Sequence, residues 1–331
     1  MSAATDTWSV GGTQYPAEMP APVAPLVRVW RPDWPCPVGA ILSTHRRGAG
    51  DPTFRRTSDG AIWRGIRTPE GTTTLRLLPD PLETQVTGTA WGSGAEWILA
   101  QLPRMLGADD DPSGFVPVHE PIALAWRRHA DWRLGATGLV MESLVPAVIE
   151  QKVTGQEAFG AFRALVHRFG ERAPGPPSAG APPVRLWVQP SPTDLRAIPS
   201  WEWLRLPVDG ARSRPIQHAA RVATALERAG DETPEGFDQR LRTLPGIGVW
   251  TSAEVRSRAL GDPDAVSFGD YHVAADIGYV LTGEPVDDDG LAELLEPYAG
   301  HRHRVQRLVE MSHLHKPRHG PRMAPRRHLP G

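Results

Sequence analysis

The stretch Phe237-Asp238-Gln239-Arg240-Leu241-Arg242-Thr243-Leu244-Pro245-Gly246-Ile247-Gly248-Val249-Trp250-Thr251-Ser252-Ala253-Glu254-Val255 decides how this chain is read. Helical periodicity reaches Leu244. Pro245 and Gly246 then break it, because proline lacks the amide that a helix interior needs and glycine is a weak helix former. A second helical run begins near Val249, just after Gly248. The spacing predicts two helices joined by a tight Pro-Gly-Ile-Gly hairpin. Glycine there permits positive φ and close approach of a partner to the backbone. The first amides of the second helix have no partner within it and point outward, which makes an anion site suited to a phosphate. A plain helix–helix turn would use the same residues.

Two further segments stand at defined distances from this hairpin. Ala265-Val266-Ser267-Phe268-Gly269-Asp270-Tyr271-His272-Val273 follows about 22 residues later and opens another helix, expected over Tyr271 to Leu281. Val148-Ile149-Glu150-Gln151-Lys152-Val153-Thr154 precedes the hairpin by about 90 residues. Together the three segments resemble the helix-hairpin-helix, Gly/Pro-rich loop, Asp superfamily of DNA glycosylases. The resemblance covers Leu139 to Met311. It is nearest to the alkylation-repair branch, the DNA-3-methyladenine glycosylase II enzymes.

The resemblance implies a mainly α fold with an N-terminal α+β domain. It also implies an activity, hydrolysis of the N-glycosidic bond of a damaged base flipped out of double-stranded DNA. It places Asp270 as the catalytic carboxylate. Asp is also favoured at helix N-termini for structural reasons, and both roles can hold at once. It assigns DNA contacts to Gly246, Ile247, Gly248 and Thr251 of the hairpin and to Gln151 and Lys152. A duplex wedge is expected at Lys152 or Val153. Trp250, Tyr271 and His301 are the expected base-pocket residues, with His301 where an aromatic ring is usual. Strand-cutting members of the superfamily carry a Schiff-base lysine two residues after the last hairpin glycine. Trp250 stands there, and Lys152 and Lys316 are the only lysines in the chain. A monofunctional enzyme is therefore expected. It requires no metal or cofactor, although an alkali ion on the hairpin carbonyls is implied. A glycosylase for oxidised or deaminated bases, and a non-catalytic DNA-binding protein on the same scaffold, remain as alternatives.

Composition agrees with a globular chain of about two domains. The 331 residues are 40% hydrophobic and 22% charged, with 33 Gly and 35 Pro. The single cysteine, Cys36, excludes an internal disulfide, a zinc ribbon and a Cys-ligated iron–sulfur cluster. No run of apolar residues is long enough to span a membrane, and Met1 to Gly12 lacks the pattern of a signal peptide. The expectation is a cytoplasmic monomer without membrane contact, associated with the nucleoid through DNA binding. Residues 1–25 are expected to be loosely ordered. Residues 26–110 read as the α+β domain, with strands at Leu26–Trp30, Thr74–Leu78 and Glu83–Trp91 and a helix from Glu96 to Leu106. Residues 111–315 read as the helical domain. Its expected helices include Pro121–Arg128, Leu139–Glu150, Gly155–Phe169, Thr193–Ile198, Trp201–Arg205 and Ser213–Ala229, with a flexible insertion at Ala173–Pro183. Residues 301–331 carry eight Lys/Arg against Glu310 alone, a net +7 that leaves −9 for the rest. The segment 316–331 is expected to be a mobile basic tail, either reaching a polyanion or simply solvated. His45-Arg46-Arg47 reads as a solvated basic loop, and Cys36, between prolines, as inert. The i, i+2 pair His313 and His315 is poorly spaced for a metal.

Overall fold

Five antiparallel strands form one sheet in the order β1-β5-β4-β3-β2. They are β1 (Leu26–Trp30), β2 (Phe54–Arg56), β3 (Ile62–Thr68), β4 (Gly71–Asp80) and β5 (Gln85–Trp91). A short helix, α1 (Val38–Ile41), lies between β1 and β2. Among the described residues after β5, the regular elements are helices and one two-stranded ribbon. First come α2 (Ala95–Ala100), α3 (Leu102–Met105), α4 (Glu120–Arg128), α5 (Val140–Glu150) and α6 (Gly155–Phe169). The ribbon is β6 (Glu171–Arg172) and β7 (Trp187–Val188), followed by α7 (Pro192–Ala197), α8 (Ser200–Arg205), α9 (Gly210–Arg221) and α10 (Ala223–Leu226). The last elements among the described residues are α11 (Pro234–Arg242), α12 (Val249–Ala259), α13 (Val273–Thr282), α14 (Asp288–Leu295) and α15 (Arg302–Met311). This computed structural model describes residues 24–175, 184–228 and 232–317.

Three apolar cores organise these elements. The first packs the inner face of the sheet against α1, α2 and α3 through Leu75, Leu77, Ile98, Leu102 and Leu106. The second gathers α5, α6, α9, α11 and α12 around Leu144, Val148, Phe162, Trp203, Phe237 and Val255. The third joins α4 to α13, α14 and α15 through Ile122, Ile277, Leu295, Tyr298 and Leu308. Chain order and core membership therefore differ. Helix α4 precedes the second core in sequence but packs with the last helices of the chain, as its contacts with α15 show.

The structure corrects several expectations. Strands β2 and β3 carry no clean alternation in sequence. Arg64 of β3 is buried and its guanidinium pairs with Glu142 at 2.7 Å. At Gly65 an added Cβ would lie 2.2 Å from the Trp187 carbonyl oxygen, so the ribbon docks there only because the position has no side chain. The helix expected over Glu96–Leu106 is two helices. Pro103 cannot donate back to the Leu99 carbonyl, and Arg28 Nη1 from the edge strand takes that oxygen at 2.7 Å. Similarly, Ser213–Ala229 resolves into α9, which starts at Gly210 after an Asp209 cap, and the short α10; residue 229 lies outside the described residues. The start of the Ala173–Pro183 insertion is fixed to the sheet. Thr74 Oγ1 donates to the Pro174 carbonyl at 2.6 Å and Ala173 N–H to the Leu186 carbonyl. Residues 176–183 lie outside the described residues, as do 1–23 of the N-terminal segment and 318–331 of the tail. Finally, His45-Arg46-Arg47 is no solvated loop, because Arg47 is buried with its Nη1 3.2 Å from Glu150.

Candidate active site at the hairpin and the Asp270 helix

Helices α11 and α12 meet at the Pro245–Gly248 turn as the sequence predicts, and the two glycines there differ in kind. Gly246 has φ +86°, and a Cβ on it would lie 2.4 Å from Pro215 Cγ. Its lack of a side chain is required by the fold. Gly248 has φ −98°, and an added Cβ would meet nothing within 4 Å. The fold therefore does not demand glycine at 248; only an incoming partner would. No side chain caps the N-terminus of α12, whose first amides stand at this glycine.

The other hairpin residues hold the turn rather than face outward. Ile247 is buried in the second core, and its amide is spent on the Leu244 carbonyl. Thr251 is also buried. Gln151, just after α5, donates to the Gly246 carbonyl at 3.0 Å and to Thr251 Oγ1 at 2.8 Å. Gln151 and Thr251 thus form a latch between the end of α5 and the hairpin. The side chains of Ile247, Thr251 and Gln151, three of the expected DNA-contact residues, are thus engaged within the protein. Lys152 is exposed and sits at φ +54° on the corner between α5 and α6.

Asp270 follows Gly269, which turns the chain at φ +85°. One carboxylate oxygen accepts from the amides of His272 at 2.8 Å and Val273 at 3.2 Å, capping α13. The other accepts from Trp250 Nε1 at 3.2 Å. Both readings of Asp270 therefore coexist in geometry. One oxygen holds the helix start, the other takes the Trp250 indole, and Asp270 and Trp250 line a cleft together. The helix starts two residues later than expected because Tyr271 and His272 lie in the capping turn.

The cleft encloses about 410 Å³, within the range typical of small-molecule sites. Its floor is an ion network. Glu254 pairs with Arg258 at 2.6 Å and accepts from the Ser267 hydroxyl at 2.6 Å. Burial pushes the Glu254 carboxyl up, but the Arg258 charge and the Ser267 bond outweigh it and hold the group below its usual range. Glu150, tied to Arg47, and Glu310, tied to Gln306, close the sides. Of the three expected pocket residues, only Trp250 borders the cleft. Tyr271 projects into solvent at 90% exposure. His301 lies edge-on to Phe115 at 5.8 Å and accepts from Arg304 Nε, as part of the aromatic cluster of the third core. That cluster is built around the buried Arg304–Asp110 pair, with Arg304 over Trp126 and Trp132.

Sequence reasoning missed His272, Asp276, His313 and His315, all of which line the cleft. His272 stood in plain view beside Asp270. The two later histidines were assigned to the edge of a solvated tail because of the basic, proline-containing stretch beyond them. The apolar Leu314 was the signal that the packed chain continues past α15, and it packs on the third core.

An uncapped turn between α11 and α12 beside a cleft carboxylate, with a five-stranded antiparallel sheet in front, is a fold shared with solved DNA glycosylases. Known structures bear this out. The 3-methyladenine DNA glycosylase from Archaeoglobus fulgidus superposes with a TM-score of 0.69 at 16% identity, covering 86% of this chain and 98% of that one. MBOgg1 in complex with a low-affinity DNA ligand gives 0.64 at 12% identity, covering 86% and 96%. The apo 8-oxoguanine glycosylase/lyase from Clostridium acetobutylicum gives 0.64 at 10% identity, covering 88% and 98%. No protein-family model and no curated protein sequence matches the chain.

Proposed function

We propose that this chain is a monofunctional DNA glycosylase that flips a damaged base, alkylated by preference, out of duplex DNA and hydrolyses its N-glycosidic bond. The observation that carries this reading is Asp270. Its bonds to the first amides of α13 and to Trp250 fix the carboxylate, and Asp270 lines a cleft of about 410 Å³ together with Trp250 of α12. Departure of the base leaves positive charge on the deoxyribose. A preorganised carboxylate offsets that charge, and the same group orients the attacking water. The duplex is anchored when a backbone phosphate meets the amides at Gly248, a contact that carries no sequence information. Lys152, exposed at the corner after α5, meets the duplex alongside.

Trp250 supports the monofunctional reading. Its indole has no basic amine to attack the sugar, and its N–H is directed to Asp270. The product is therefore an abasic site in an unbroken strand. No metal is required. An alkali ion on the Leu244 and Gly246 carbonyls would only brace the turn. Each of these oxygens already accepts one hydrogen bond and keeps a second lone pair.

A second reading, release of oxidised or deaminated bases, is favoured by one observation. Among the described residues Trp250 is the only carbocyclic aromatic lining the cleft; beside the aliphatic Val273, Ile277, Val309 and Leu314, the lining is imidazoles, carboxylates, Gln306 and Arg258. Such walls select by hydrogen bonds more than by stacking on a cationic ring. The acting form is taken as a cytoplasmic monomer; among the described residues no helix is long and apolar enough to cross a membrane. Duplexes carrying 3-methyladenine, 7-methylguanine, hypoxanthine or 8-oxoguanine test the function and rank the two readings. Base release with strand breakage only after added alkali is expected. Efficient borohydride trapping of a protein–DNA adduct would overturn the monofunctional assignment.

A further inference from the structure

The chain leaving α15 returns across the cleft instead of departing from it. The helix closes with Ser312 N–H on the Leu308 carbonyl, His313 N–H on Glu310 and Leu314 N–H on Val309. Leu314 packs into the third core, and Lys316 N–H donates to Asp276 Oδ1 of α13 at 3.1 Å. The segment is thereby tied at both ends, with His313, Leu314 and His315 forming the cleft wall opposite α12. His313 has φ +53°. The residue that ends a helix in this left-handed conformation is usually glycine, as Gly283 is at the end of α13 with φ +87°. A side chain makes that conformation costly, so an imidazole kept there and lining the cleft calls for a use of the side chain.

We propose that His313–Lys316 is the recognition wall for the extruded base, with His313 and His315 as specificity-determining residues that hydrogen-bond its edge. The assignment rests on the glycosylase reading. The His313 imidazole offers one donor and one acceptor, while His315 gives its Nδ1–H to the Lys316 carbonyl at 3.1 Å and keeps Nε2 to accept; the ring nitrogens and exocyclic groups that distinguish damaged bases are their counterparts. His313 and His315 are exposed in the free protein and would be covered by a bound base; a hydrogen-bonding wall then discriminates more sharply than an apolar one, because the wrong base covers polar groups without pairing them. Asp276 holds the wall in register and acts as a positioning residue.

The test is base release by His313→Gly and His315→Ala proteins on the four lesion duplexes, with affinity for an abasic-site duplex measured in parallel. His313→Gly is chosen because glycine suits the left-handed conformation, so its melting temperature should equal or exceed that of the parent. The expected result is a loss of about tenfold in kcat/KM on the preferred lesion and a smaller loss on the others. The selectivity ratio then narrows while abasic-site affinity stays within about twofold, since that duplex has no base to read. Unchanged ratios in both variants, or an equal loss on every lesion and on the abasic duplex, would overturn the assignment while leaving the glycosylase reading intact. A parent protein that releases no base from any duplex would overturn both.

Discussion

Single residues divide here into those the fold needs and those only a substrate needs. Gly246 and Gly248 are the clearest pair. Gly246→Ala forces a side chain into positive φ and against Pro215, and should destabilise the protein by about 1–3 kcal/mol in denaturant titrations. Gly248→Val points into open space at an ordinary φ. It should leave the unfolding midpoint unchanged while weakening binding to duplexes of any sequence alike. Full DNA affinity in a folded Gly248→Val protein would contradict the proposed anchoring. Trp250→Phe keeps a ring but removes the N–H given to Asp270. A tenfold to hundredfold loss of base-release rate is expected, roughly the value of a hydrogen bond to a charged group, with abasic-site affinity retained. Asp270, Gly246 and Gly248 were legible in sequence because turn chemistry and capping are local. The partners of Thr251 and Gln151 were not, because the bonds of Gln151 join segments about a hundred residues apart.

Elements with strong periodicity were legible almost to the residue. Helices α5 and α6 begin and end within one residue of their expected bounds, and α12 begins at the expected Val249. Strand β3 was hidden because a buried arginine and a glycine interrupt its pattern, and each is explained only by a partner elsewhere, Glu142 and Trp187. Helix α15 carries a testable pH dependence. Burial, with the Arg307 charge adding to it, drives His303 from its ordinary value down to about 3. Above pH 6.5 the residue is neutral in folded and unfolded chains alike. As pH falls, the unfolded chain takes up a proton that the folded one refuses until about pH 3, so stability declines through that window by up to a few kcal/mol. His303→Met should flatten the dependence of melting temperature on pH between 6.5 and 3 by one proton. An unaltered slope would show that His303 titrates normally in the fold.

At the scale of the whole molecule, the general architecture was readable but the pairing of its parts was not. The mainly helical class and the N-terminal sheet followed from composition and patterning. The return of α4 to the last helices did not, because nothing local in Ile122 or Ala125 names Leu308 as a neighbour. The tail is expected to start at residue 316, where Lys316 N–H is bonded to Asp276 of α13 at 3.1 Å. Residues 318–331 add four arginines and no acid. Deleting them should lower the slope of log K against log salt by at most about four times 0.9, and by about one or two such units in practice. Single-turnover base release should be unchanged. A deletion that also removes 316 and 317 should impair it by freeing the wall. An identical salt slope after deletion would show that the tail does not meet DNA. All of this serves one claim, that the carboxylate of Asp270 performs the chemistry of a bound damaged base. Single-turnover base release by the parent and by Asp270→Asn, on the lesion duplex the parent prefers, tests that claim most directly. The account predicts that the variant binds this duplex as tightly as the parent or more so and releases no measurable base; release at near the parental rate would reduce Asp270 to a helix cap and contradict the account.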